Sequence, residues 1–236
     1  MQHSRLGILG GMGPQATLLL CQRVLDSTDA VRDQEHIPTL VWNDTLIPDR
    51  TAAILGGDAE GCYAELLSAA RLLERAGCTV LAIPCNTSHY FADRLQSDLS
   101  VPLLNMPRLA VDALASRSES PKKVCILATD GTVRTGVYQR ECAARGLACA
   151  VPDDETQKAV MHLIYDVVKA GKPGTEADFA PIDAAVTALG CDCAILACTE
   201  LSVYRAAHPL PARYLDALDL LARACVSACG YPLRGA

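Results

Sequence analysis

Two cysteines are set apart because each closes the same short pattern. The segment Gly77-Cys78-Thr79-Val80-Leu81-Ala82-Ile83-Pro84-Cys85-Asn86-Thr87 lies without a gap over Gly190-Cys191-Asp192-Cys193-Ala194-Ile195-Leu196-Ala197-Cys198-Thr199-Glu200. In both, a helix-ending glycine leads into an apolar run, then into a cysteine and a polar pair. A thiol titrates near ~8.5, and a place between a strand end and a helix start is expected to lower that value toward neutrality. Two such groups on opposite sides of one carbon would do acid/base work: one takes a proton, the other returns one to the opposite face, and the stereocentre inverts. Cys21, Cys62, Cys78, Cys125, Cys142, Cys149, Cys191, Cys193, Cys225 and Cys229 lack this pairing and read as small buried hydrophobes.

The neighbours of the two thiols suit a carboxylate ligand. Asn86, Thr87, Ser88 and Thr199 fall where backbone N–H groups and short polar side chains can cradle an anion, and the same residues are good helix caps. Arg50 and Lys169 are candidates to neutralise a side-chain carboxylate, although a lone cation is more often a solvated surface charge. His89, one turn beyond Cys85, reads as a helix-surface or cap-region residue with no chemical role. The turn Gly10-Gly11-Met12-Gly13-Pro14 also fits, with Ala16, the loose dinucleotide pattern G-x-G-x-x-A. Asp44 lies too far along the chain to be the ribose-binding acid such a site needs, so the nicotinamide reading falls behind.

Thiols at strand ends need a sheet to carry them. Leu6–Leu9, Thr39–Trp42, Thr79–Ile83, Val101–Leu104, Val124–Leu127, Leu147–Val151 and Cys193–Ala197 read as buried strands. Helical spacing of apolar residues marks Gln15–Thr28, Gly61–Ala76, Thr87–Ser97, Arg108–Ala115, Arg134–Arg145, Asp154–Ala170, Asp178–Leu189 and Ala217–Ala228. A second, weaker correspondence sets Leu6–Gly10, Gly13 and Thr17 against Val124–Ala128, Gly131 and Thr135. The expected class is α/β, with two pseudo-symmetric, doubly wound parallel-sheet halves and the active site in the cleft between them, outside the carboxyl ends of the strands. Residues 1–106 would form the N-terminal half, with a C-terminal helix in 215–236 packing back on it, and residues 107–214 the C-terminal half.

Composition narrows the ligand further. The chain has 236 residues, half of them hydrophobic, which is enough for a proper core. A net charge of −6, no Lys/Arg cluster, two Phe and one Trp argue against nucleic acid and for a small molecule. Glycines break the first apolar run before a signal segment can form and no run reaches membrane-span length, so a cytoplasmic protein with no membrane partner is expected. There its twelve cysteines would stay reduced, and without a paired CxxC neither a disulfide framework nor a metal site is indicated.

The ordered set Gly7-Ile8-Leu9-Gly10-Gly11-Met12-Gly13-Pro14, Arg32-Asp33-Gln34-Glu35-His36, Ile47-Pro48-Asp49-Arg50-Thr51, Pro84-Cys85-Asn86-Thr87-Ser88-His89, Leu127-Ala128-Thr129, Gly131-Thr132, Val168-Lys169-Ala170-Gly171 and Cys198-Thr199-Glu200 resembles the aspartate/glutamate racemase superfamily, specifically its aspartate racemase branch. That resemblance spans nearly the whole chain. It implies a cofactor-independent amino-acid racemase, with neither pyridoxal phosphate nor metal, often dimeric, that interconverts L- and D-aspartate or glutamate through Cys85 and Cys198. By the same resemblance Met12, Arg50, Asn86, Thr87, Ser88, Thr129, Lys169, Thr199 and Glu200 would line the substrate site. Relatives similar to glutamate racemase carry Thr-His after the second cysteine and an Asp-Ser-Gly turn in place of the glycine turn here, and both departures favour aspartate. Asp130 stands where close aspartate racemases have Thr. Two alternatives remain open. One is cis-trans isomerisation of a small unsaturated diacid of the maleate type with Cys85 as nucleophile; the other is a non-catalytic dicarboxylate-binding relative.

Overall fold

The structure is a computed structural model and describes residues 4–235. The chain opens with β1 (Leu6–Gly10), all five residues buried, as a central parallel strand covered on both faces must be. Helix α1 (Pro14–Ser27) follows a glycine turn and starts on Pro14, where the missing N–H is no loss. Gly11 has φ +95°, and a Cβ there would stand 2.1 Å from the Asp44 carbonyl oxygen, so only glycine fits. That contact ties the turn to the end of β2 (Thr39–Asn43), an exposed edge strand whose Trp42 donates its indole N–H to Asp44 at 3.1 Å.

Helix α2 (Arg50–Gly56) is capped by Asp49, which accepts from the Ala52 N–H at 2.8 Å; such a cap contributes about 1 kcal/mol. In α3 (Ala59–Arg75), Cys62, Leu66, Ala69, Ala70 and Leu73 recur at helical spacing on the buried face. They join the first core cluster with Leu9, Leu81 and Ile83. Then come β3 (Val80–Ala82), a 3-10 segment Thr87–Phe91, α4 (Ala92–Asp98) and α5 (Met106–Ala115). The second half of the chain runs β4 (Lys123–Leu127), α6 (Asp130–Thr135), α7 (Val137–Ala144), β5 (Ala148–Ala150) and α8 (Asp154–His162). A π-helical segment Leu163–Val168, α9 (Glu176–Ala188), β6 (Cys193–Leu196), α10 (Thr199–Ala207), β7 (Tyr214–Asp216) and α11 (Ala217–Ala228) complete it.

Two wholly parallel sheets result, one ordered β2-β1-β3 and the other β5-β4-β6-β7. The chain divides into two compact units, residues 1–106 with 218–236, and residues 107–217. Each sheet places a central strand, β1 or β4, beside the strand that leads to a cysteine, β3 or β6. Among the described residues no helix is long and apolar enough to cross a membrane.

Several local expectations change. Thr39–Trp42, expected as a buried strand, is exposed along its length because it lies at the sheet edge, and Thr87–Ser97, expected as one helix, is a 3-10 segment followed by α4. Val101–Leu104 is not a strand: it meets β3 only through the bridge Leu81–Leu103, because Pro102 offers a carbonyl to the Leu81 N–H at 2.9 Å but has no N–H to continue the ladder. The helix expected over Arg134–Arg145 is two helices, separated at Gly136 with φ +67°. The one expected over Asp154–Ala170 changes to π-helical pitch at Leu163. A short strand, β7, pairs with β6 where none was expected.

Candidate active site

In the first unit the site residues gather past the carboxyl ends of β1 and β3. The glycine turn is held from within: Thr17 accepts from the Gly11 N–H at 3.0 Å and donates to the Gly13 carbonyl at 3.1 Å. It presents Met12, which is buried, to two other candidates. Ser88 donates to the Met12 sulfur at 3.4 Å, and Arg50 donates through Nη2 to the Met12 carbonyl at 3.1 Å. Cys85 and Asn86, in the stretch between β3 and the 3-10 segment, and Thr87 and Ser88, which open that segment, are all buried.

Arg50 is not the surface charge that lone cations usually are; only 7% of it is exposed. Its Nη1 donates to the carbonyls of Ile47 and Pro48 at 3.3 and 2.8 Å, while Nε is buried with no hydrogen-bond partner. Burial pulls the guanidinium pKa down, but the Cys85 sulfur and the Asp49 carboxylate beside it more than offset this and hold it above the usual arginine value. A fixed positive charge therefore stands next to Cys85.

The second unit repeats the plan past β4 and β6. Thr129 caps α6, accepting from the Thr132 N–H at 3.3 Å, with the two hydroxyls 3.2 Å apart. Cys198 is the N-cap residue of α10 and 6% exposed. Its Sγ–H donates to Glu200 Oε2 at 2.9 Å, and Thr199 Oγ1 lies 3.5 Å from the same oxygen. The other oxygen, Oε1, faces Lys169 Nζ at 3.4 Å; the Glu200 side chain is 6% exposed and that of Lys169 24%. Lys169 follows directly on the π-helical segment, and its Nζ also lies 5.0 Å over the Tyr165 ring.

Cys198 does not behave as its helix-terminal position suggests. Burial pushes its thiol well above the usual range, and the charge and hydrogen bond of Glu200 push it further, with Lys169 only partly opposing them. The partial charge of a helix N-terminus is too weak to overcome a carboxylate at 2.9 Å. At neutral pH Cys198 is a protonated thiol, hydrogen-bonded to a carboxylate able to take its proton.

Other thiols shift the same way through burial: Cys125 and Cys142 to about 12, Cys62, Cys193 and Cys229 to about 11. The folded state binds these protons more tightly than an unfolded chain with thiols near ~8.5, so their contribution is whole below that pH and is lost as pH rises through the folded values. The melting temperature is therefore expected to fall progressively above about pH 8.5 in a reducing buffer. A melting temperature that stays flat to strongly alkaline pH would contradict the burial of these thiols.

The sequence reading of His89 as a helix-surface or cap-region residue is corrected. Far from lying on a helix surface, the residue is 6% exposed, with Nδ1 2.8 Å from the Cys85 carbonyl and Nε2 3.3 Å from the Leu104 carbonyl. Its spacing from Cys85 was the available signal, misread because a regular helix was assumed there. Among the described residues no group of three or more His, Cys, Asp or Glu side chains is arranged to hold a metal ion.

Comparison with known proteins adds an independent line. The Asp/Glu/hydantoin racemase model matches residues 9–225. A broad-specificity amino-acid racemase of Bacillus subtilis is 28% identical over 163 residues, which is 67% of this chain and 69% of that protein. The aspartate racemase of Picrophilus torridus superposes with a TM-score of 0.81 at 28% identity, covering 98% of this chain and 96% of its own. An aspartate racemase homologue from Pyrococcus horikoshii shares the fold with a TM-score of 0.75 at 22% identity, over 96% of this chain and 99% of that one.

Proposed function

We propose that this chain, which belongs to the Asp/Glu/hydantoin racemase family and is an amino-acid racemase, interconverts L- and D-aspartate without an added cofactor, using Cys85 and Cys198 as its two acid/base groups. In one direction the Cys85 thiolate takes the proton from Cα. The electron pair left on carbon spreads into the α-carboxylate, and the Cys198 thiol delivers a proton to the opposite face. In the other direction Cys85 starts as the thiol and Cys198 as the thiolate: Cys198 removes the Cα proton and Cys85 protonates the opposite face, and between turnovers Glu200 accepts the Cys198 proton while solvent protonates Cys85.

The observation that carries this reading is the Cys198–Glu200 hydrogen bond at 2.9 Å with Lys169 on the second carboxylate oxygen. A buried thiol already paired with a base and a compensating cation is equipped to release and regain a proton. Arg50 does the complementary service at Cys85, beside whose sulfur it holds a buried positive charge. The short polar residues Asn86, Thr87, Ser88, Thr129 and Thr199 bind the substrate carboxylates, with Met12 shaping the pocket wall. Arg50 has already committed its Nη groups to three carbonyls, which leaves Nε to face the ligand. The similarity to the Picrophilus torridus aspartate racemase supports aspartate as the substrate. The maleate-type alternative uses Cys85 alone and gives the Cys198–Glu200–Lys169 group nothing to do.

In deuterated water, either pure enantiomer of aspartate is expected to gain deuterium at Cα and drift to the racemate, followed by proton NMR and circular dichroism with no cofactor added. Absence of exchange with aspartate, glutamate and their close analogues would sink the proposal. A mass increase on Cys85 with maleate, and no exchange with amino acids, would select the alternative.

A further inference from the structure

The two thiols end matching strands, yet their backbones are anchored differently. Cys198 precedes a regular helix, and its carbonyl accepts the Leu201 N–H at 3.0 Å as the first bond of α10. Cys85 precedes a 3-10 segment of only five residues, and there the Asn86 carbonyl, not that of Cys85, accepts the His89 N–H at 3.0 Å. What meets the Cys85 carbonyl is the His89 imidazole, Nδ1 at 2.8 Å, with the other ring nitrogen 3.3 Å from the Leu104 carbonyl. Burial lowers the His89 pKa, so the ring carries one proton, and the shorter contact assigns it to Nδ1. Leu104 in turn donates its N–H to Leu81 in β3 at 2.9 Å, so the imidazole bridges the loop carrying Cys85 to a segment tied back to the strand that precedes it.

We propose that His89 is a positioning residue for Cys85: a buried side chain that supplies the anchor which the helix backbone supplies at Cys198. The inference rests on the two-thiol reading above. A proton-transfer group displaced by about 1 Å can lose up to about 100-fold in rate. Removing the imidazole should therefore impair the chemistry of one thiol and spare that of the other.

Elimination of HCl from β-chloroaspartate separates the two, because it needs a base on one face only: the base takes the Cα proton, the C–Cl electrons leave with chloride, and the enamine hydrolyses to the keto acid and ammonia. Single Cys85→Ala and Cys198→Ala variants first assign each enantiomer to its thiol. His89→Leu is expected to slow elimination from the enantiomer assigned to Cys85 by about 10- to 100-fold and to leave the other within about twofold. His89→Asn, whose amide N–H can take the place of Nδ1–H, should recover most of the loss. Equal losses on both enantiomers, no loss on either, or no recovery with Asn would overturn the positioning role. If wild-type protein eliminates chloride but the two cysteine variants show no enantiomer preference, or if it acts on neither enantiomer, the two-thiol reading fails first and this role fails with it.

Discussion

Cys198→Ala and Cys85→Ala are each expected to lower aspartate racemisation by about 10²- to 10⁴-fold, the usual loss when a positioned proton-transfer group is removed. The enantiomers are isoenergetic, so kcat/KM must fall by the same factor in both directions for either variant, whichever thiol is the base in that direction. The double variant should be little worse than either single one, because the two groups act as a unit and the loss of one idles the other. Cys62→Ser is the control: Cys62 is buried near Arg50 and Cys85, but burial pushes its thiol to about 11 and leaves it inert. Its activity should stay within about twofold of wild type. Racemisation that survives loss of Cys85 or Cys198 at near wild-type rate would refute the scheme.

Glu200→Gln separates the two tasks assigned to that carboxylate. It keeps the shape of the side chain and removes its charge and basicity. The Cys198 thiol then loses a neighbour that raised its pKa and keeps Lys169, which lowers it, so the pKa moves down. Alkylation of Cys198 by iodoacetamide, followed by peptide mass spectrometry, should accordingly begin at lower pH than in wild type. Catalysis moves the other way. With no carboxylate to take the Cys198 proton, racemisation is expected to drop about 100-fold even though the thiol ionises more readily. Lys169 is partly exposed, so water can compensate its lost partner and the fold should survive. An unchanged or upward-shifted alkylation profile would show that Glu200 does not hold the Cys198 proton.

The two candidate cysteines stand out in the sequence because they end a repeated pattern, and the buried strands β1, β4 and β6 because unbroken apolar runs of that length fit little else. The halves were visible for the same reason. Finer features depend on partners that a linear reading cannot see. Arg50 looks like any exposed arginine until Met12, Ile47 and Pro48 are known to offer it their carbonyls. The apolar spacing of Asp154–Ala170 is compatible with both helical pitches, and the π segment before Lys169 shows only in the backbone ladder. The direction of the Cys198 shift was misjudged because helix position was weighed without the distance to Glu200, two residues on but at hydrogen-bond range from the sulfur. Val101–Leu104 has strand-like residues, but Pro102 removes the donor a ladder needs.

Trp42 is the single tryptophan of the chain and sits on the edge strand β2, its indole bonded to the Asp44 side chain. The Asp44 backbone also walls in Gly11 of the turn that presents Met12. Emission excited at the indole is thus a built-in optical gauge of the Met12 turn. Recorded beside the far-ultraviolet signal of the whole backbone, it would reveal whether the two units lose their order in one transition or in succession, with no label attached.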